Sequence, residues 1–197
     1  MGALCEDAIA SAVKGLTEEN EELQKKVSQL EKEINHKERE IEDFCLRLLI
    51  REQPVAGDLR QINAAQKLIA NMERIGDQAL DIAEISAFMI GSHIKSDVHI
   101  SDMARATVTM LQKSVDSFVM GDIDGAKNVI AYDDVVDELF VKIKGELVAE
   151  IAKCPANGGA CLDLLMIAKY LERIGDHATN IAEQVIYTGT GERGLAK

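Results

Sequence analysis

Carboxylates spaced four residues apart dominate two stretches of this chain. Glu73, Asp77, Asp81 and Glu84, stepped at about 100° per residue, fall at roughly 0°, 40°, 80° and 20° around a helix. They share an arc of about 80°, while Met72, Ile75, Ala79, Ile82 and Ala83 gather on the opposite side, between about 180° and 280°. Glu172, Asp176, Asn180 and Glu183 repeat the polar arc later in the chain, with Ile174, Ala178 and Ile181 opposite. Upstream of each set lie further oxygen donors at helical spacing: Glu31, Asn35 and Glu38 before the first, Asp133 and Asp137 before the second. Like charges at i and i+4 destabilise a helix by roughly 0.2–0.5 kcal/mol per pair. Bound cations would cancel that repulsion. All the donors are hard oxygens, which suits Mg²⁺, Mn²⁺, Ca²⁺ or oxygen-ligated iron. A merely solvated acidic face is the competing reading, and composition alone leaves both open.

Other chemistries fit less well. A di-iron carboxylate bundle would carry a Glu-x-x-His pair on each of two helices, and only Glu33 with His36 has that spacing. His177 has Gln78 at the corresponding place in the earlier stretch, so it belongs to no shared site. His93 and His99 fall in or near a polar link and are read as solvated. No phosphate-binding loop, GxSxG or HExxH motif occurs. Cys5, Cys45, Cys154 and Cys161 form no CxxC pair and are read as packed thiols. An enzyme is therefore the weaker class, with a metal-dependent helical carboxylate enzyme or a metal store kept as the alternative function.

The two acidic stretches are copies. Residues 73–84 read ERIGDQALDIAE and residues 172–183 read ERIGDHATNIAE, matching at nine of twelve positions with an offset of 99. Each copy closes a three-helix plan. A first helix runs over Met1 to Leu16, with Thr17 as the N-cap of a second that carries Leu23, Val27, Leu30, Ile34, Ile41, Phe44 and Leu48 and ends before Pro54. That stripe also fits a dimeric coiled coil broken by Lys37, but a bundle uses the same spacing and is preferred. A third helix spans about Val55 to Ile90, and Gly91 to Val98 form the link. The second copy has helices over about Ser101–Met120, Asp122–Lys153 with Asp122 as cap, and Ala160–Tyr187. Gly76 and Gly175, inside the acidic helices, are read as points of close helix approach. Arg74 and Arg173 are read as local charge compensation for Asp77 and Asp176. The expected fold is all-α: two tandem antiparallel three-helix bundles related by internal duplication, over residues 1–91 and 98–188, with a flexible tail at 189–197.

Bulk properties agree. Apolar residues make up 47% of the 197 but aromatics only 4%, with no Trp and two prolines, which favours long helices with an aliphatic core. The net charge of −12 argues against nucleic acid and against direct binding to an anionic membrane. The longest charge-free run, Ile85 to Ile94, is far short of the ~20 apolar residues of a membrane span. Without a basic leader at the N-terminus, the expected location is the cytoplasm.

These motifs carry a resemblance. ERIGD followed by DIAE or NIAE, twice in one chain, resembles the signature segments of the PhoU family. Gln53-Pro54-Val55-Ala56-Gly57-Asp58-Leu59-Arg60 is similar to the family's start of the third helix, and Tyr132-Asp133-Asp134-Val135-Val136-Asp137 to its second acidic motif. The likeness covers residues 1–188, although the chain begins several turns into the family's first helix. It implies metal binding, as divalent ions or multinuclear iron clusters. The implied ligands are Glu73, Asp77 and Asp81 with Glu31 and Asn35 at one site, and Glu172, Asp176 and Asn180 with Asp133 and Asp137 at the other. Asn35 and Asn180 stand where the pattern allows acids. The resemblance further implies a non-enzymatic negative regulator of the phosphate-starvation response. Its partners would be the ATPase subunit of the phosphate ABC transporter and a sensor histidine kinase, with membrane association only through them and a homodimer as a further expectation.

Overall fold

The structure, a computed structural model, describes residues 1–89 and 98–191. Six α-helices account for nearly all of it: α1 (Gly2–Glu18), α2 (Glu21–Glu52), α3 (Gly57–Phe88), α4 (Ile100–Met120), α5 (Ile123–Lys153) and α6 (Gly158–Thr190), with a 3-10 turn at Pro155–Asn157 between the last two. No strand occurs among the described residues. Most of the expected link, and residues 192–197 of the expected tail, lie outside the described residues.

Local chemistry sets the helix ends. Asn20 caps α2, its side-chain oxygen accepting from the backbone N–H of Glu22 at 3.0 Å and of Leu23 at 3.3 Å. Thr17, expected in that role, instead lies in the last turn of α1 and donates its hydroxyl to the carbonyl of Lys14. The reason is that α1 continues to Glu18 and turns through Glu19 at φ 54°, which delivers the stronger capping residue, Asn, to the start of α2. Asp122 caps α5 as expected, accepting from Gly125 N–H at 3.0 Å, after α4 stops at Gly121 with φ 65°. Pro54 ends α2, and Gln53 and Ala56 on either side of it adopt φ of 47° and 44°. α6 starts at Gly158 and runs through Gly189 to Thr190, stopping at Gly191 with φ 77°. It is therefore longer than expected at both ends, because a glycine is tolerated within a helix whose neighbours hold it.

Within each half the three helices pack on one another, and the halves also pack side by side, α3 along α6 and α1 against α4. The predicted apolar faces form the centre: Ile75, Ala79, Ile82, Ile174, Ala178 and Ile181 are completely buried. One continuous core runs through both copies, so the bundles are fused laterally and not merely strung together. Gly76 does mark a close approach, since a Cβ there would sit 3.1 Å from Ile34 Cδ1. Gly175 has ordinary clearance, 3.5 Å from Val136 and from Asp133 Oδ1. The α2 stripe is buried at Val27, Leu30 and Ile34, but Phe44 is 53% exposed. Cys5, Cys45 and Cys161 are buried free thiols, and Cys5, bonded to the Met72 carbonyl, has its pKa pushed by burial to about 12. No helix among the described residues is long and apolar enough to cross a membrane.

The caps give a direct test by thermal melting. Asn20→Ala should cost about 1 kcal/mol, lowering Tm by roughly 2–4 °C for a chain of this size. Thr17→Ala should stay within about 0.5 kcal/mol.

Candidate metal centre

Because α2 and α3 are antiparallel neighbours, as are α5 and α6, the polar edge of each acidic helix faces the donors of the helix before it. In the first half, Glu73 is held protonated to higher pH than usual, chiefly by burial and then by Asp77; Glu38 and Glu31 reach across from α2 to the same effect, while Arg74 opposes. Glu31 and Glu38 of α2 thus lie near enough to Glu73 to act on its charge. Glu38 is absent from the family-implied ligand set. Asn35 donates its amide to the Glu31 carboxylate, and its Oδ1 is buried without a hydrogen-bond partner. Asp77 lies within 3.6 Å of the Arg74 guanidinium, which also reaches Glu73 at 3.5 Å. Asp81 is pushed up by burial, Glu84 and Asp77, with Arg173 from the other half opposing. Arg173 of α6 thus acts on it across the contact between the halves.

The second half gathers more tightly. Asp133 rises to about 6, through burial first and then through Asp137, Asp176, Asp134 and Glu172. Asp176 is pushed up by burial, Glu172 and Asp137, against Lys169 and Arg173. Four of the five expected residues, Asp133, Asp137, Glu172 and Asp176, thus share one field across α5 and α6. Asn180 is exposed at the end of the stripe. Lys169, unremarked in the sequence, places its ammonium on the Glu172 carboxylate and 5.7 Å from the centre of the Phe140 ring. The i, i+3 spacing of Lys169 and Glu172 was the signal for it.

The donors fit a hard cation in kind: carboxylates facing across a helix pair, their charge incompletely balanced, and in the first half an orphaned amide oxygen at Asn35. They do not form a finished cage, since among the described residues no three His, Cys, Asp or Glu groups converge as metal ligands would. Among the described residues, His99 and His177 bond to groups outside both clusters. His177 bonds through Nδ1 to Asn71 Oδ1 at 2.9 Å, tying α6 to α3, and its pKa is lowered by burial and by Arg173 and Arg74. His99 is not a loose solvated residue: its Nδ1 lies 2.6 Å from Glu146 Oε1 and its Nε2 2.9 Å from Lys142 Nζ, because α5 carries both partners past the start of α4. His93 lies outside the described residues.

A raised carboxylate pKa has a definite sign. The folded protein holds the Asp133 proton more tightly than the unfolded chain, so this contribution to stability is full below about pH 4 and lost as pH rises to about 6. In chelator, Asp133→Asn should raise Tm at pH 7, by roughly 2–4 °C for about 1 kcal/mol after allowance for solvent screening. The gain should vanish in melts below pH 4.

The comparisons with known proteins follow the same division of the chain. A family model described as PhoU domain matches twice, over residues 1–86 and 100–185. A phosphate-specific transport system accessory protein PhoU homolog of Pseudomonas aeruginosa is 36% identical over 193 residues, 97% of this chain and 80% of that protein. A Thermotoga maritima protein of the same description, numbered 1, is 34% identical, covering 96% and 82%. The crystal structure of PhoU from P. aeruginosa superposes with a TM-score of 0.91 at 34% identity, over 98% of this chain and 93% of that one. A PhoU structure from Streptococcus pneumoniae, at 23% identity and a TM-score of 0.88 over 99% and 92% of the two chains, shares the fold. With both repeats matched in order and relatives aligned along almost its full length, the chain belongs to the PhoU family.

Proposed function

We propose that this protein is a regulatory adapter of phosphate uptake that restrains the phosphate-starvation response when phosphate is plentiful. The observation that carries the reading is the doubled ERIGD…IAE segment, matched by two PhoU domains in order. Relatives described as accessory to a phosphate-specific transport system support the same direction. The finer assignment is that it works in the cytoplasm, between the ATPase subunit of the phosphate ABC transporter and its sensor histidine kinase.

The physical form suits an adapter. A cavity of ≈ 580 Å³ between the halves is lined by Ile41, Phe44, Cys45, Leu48, Ile62 and Phe118 among others, with no carboxylate or basic side chain and with the Cys45 thiol and the Thr188 hydroxyl as its nucleophilic groups. The carboxylates instead line open edges. We assign the first edge, Glu31, Asn35, Glu73, Asp77 and Asp81, and the second, Asp133, Asp137, Glu172, Asp176 and Asn180, to divalent or iron ions. Bound there, a metal would neutralise the clustered charge and clamp α2 to α3 or α5 to α6. Asn35 supports the assignment, because a buried amide oxygen without a partner is costly unless something donates to or coordinates it.

A phosphate-regulated alkaline phosphatase reporter in a deletion strain grown with ample phosphate tests the proposal. Loss of the gene should raise expression, and the intact gene should return it to the repressed level. A Glu73→Ala, Asp77→Ala, Glu172→Ala, Asp176→Ala combination should fail to do so if the metal edges serve regulation. A reporter that stays silent on deletion, with no second copy of the gene, sinks the regulatory reading.

A further inference from the structure

The two halves fill the same place differently. Gly76 packs toward Ile34, and its counterpart Gly175 packs toward Val136. Val136 stands 102 residues after Ile34, and Gly175 stands 99 after Gly76. The capping residues agree, Asp122 following Asn20 by 102. In that register Ile143, Leu147, Cys161 and Leu164 of the second half, all buried, answer to Ile41, Cys45, Ile62 and Ala65 of the first. Those four residues of the first half line the ≈ 580 Å³ cavity. Two leucines have thus given way to the smaller side chains of Cys45 and Ala65. A third exchange changes the wall itself. Glu146, which holds His99 over α5 at 2.6 Å, answers to Phe44, an apolar ring that lines the cavity. Protein interiors pack to crystal-like density, so an occupant that completes this space has the chemistry of the leucines it replaces.

The lining sets further terms. It carries no charged side chain, and the Cys45 thiol stays neutral because burial, and then Glu42, raise its pKa. An ion placed there would lose its hydration without gaining a partner, which is costly. Phe44 and Phe118 bring two rings to the wall, suited to stacked or edge-on contact with a third. The polar points are the Gln61 amide and the Thr188 hydroxyl. Thr188 gives its proton to the Gln184 carbonyl, which leaves the hydroxyl oxygen as an acceptor. Cavities of roughly 300–1,000 Å³ with a mainly apolar lining and a few polar groups suit small molecules. We propose that this cavity binds a neutral aromatic small molecule with one hydrogen-bond donor, filling the volume that Leu147 and Leu164 take up in the other half. Its walls come from α2, α3, α4 and α6, so an occupant ties the two halves together at that end. The site is separate from the acidic edges and does not depend on them.

N-phenyl-1-naphthylamine, a neutral molecule with aromatic rings and one N–H, is the probe, followed by its fluorescence with the full chain. It should bind at a single site per chain and raise Tm. Its 8-sulfonate, with the same rings and a fixed negative charge, should bind about tenfold more weakly or less. Cys45→Leu together with Ala65→Leu, the residues of the second half, should abolish binding while raising Tm, so that loss of the site is not loss of the fold. If the pair over-packs and lowers Tm, Ala65→Val alone should weaken binding without that penalty. No binding of the neutral probe, binding that survives the filled cavity, or equal binding of the sulfonate overturns the proposal. Binding that falls as the chain self-associates at rising concentration also overturns it, and assigns the cavity to a second copy instead.

Discussion

A helix that must bury one side and crowd carboxylates on the other can be stable only where its neighbours supply what it lacks. α3 and α6 are both such helices. Their aliphatic sides, with Ile75, Ala79 and Ile82 in one and Ile174, Ala178 and Ile181 in the other, are wholly removed from water, and each fully buried isoleucine contributes roughly 1.5–3 kcal/mol. Repulsion among the acids on the opposite side is smaller, a few tenths of a kcal/mol per pair. Packing therefore wins, and the acids are carried into proximity as a by-product of burying the core. The raised pKa values of Glu73, Asp133 and Asp176 record the cost, burial first and the neighbouring acids second.

α3 and α6 also meet each other, and the contact carries polar groups as well as apolar ones. His177 reaches Asn71 across it, and Arg173 lies close enough to influence Asp81. The first pairing joins positions at which the copies have diverged: His177 corresponds to Gln78, and Asn71 to Tyr170. A pairing between copies needs complementary partners, which identical residues at mirrored positions supply poorly. The copies thus differ at this cross-pairing, while the acidic motif beside it on the same two helices stayed nearly constant.

Much of this was legible in the sequence. Helical periodicity identified the core sides of α3 and α6 residue by residue, and the offset of 99 identified the duplication. Asp122 and Gly121 announced the α4–α5 corner because capping chemistry is local. The cap at Thr17 was misread because two residues, Asn20 and Thr17, each satisfied the local rule, and only the actual length of α1 decides between them. The edges were legible as stripes, and the influence of Glu31 on Glu73 followed from antiparallel neighbours. The place of Asp81, the reach of Lys169 to Phe140, and the clasp of His99 by Glu146 were not, since each depends on how one helix is rotated against another. Lateral fusion of the two bundles was hidden for the same reason: no spacing along one helix says which neighbour covers its remaining apolar side.

That shared core changes what duplication meant for this gene. Tandem copies created by unequal crossing-over can usually be lost by the reverse event, leaving a viable single unit. Here α3 and α6 complete each other's burial, so a recombinant that dropped either copy would uncover aliphatic surface along a whole helix and invite association with other chains. With the halves grown together in this way, neither copy can be dropped without the loss of solubility that the exposed helix face would bring.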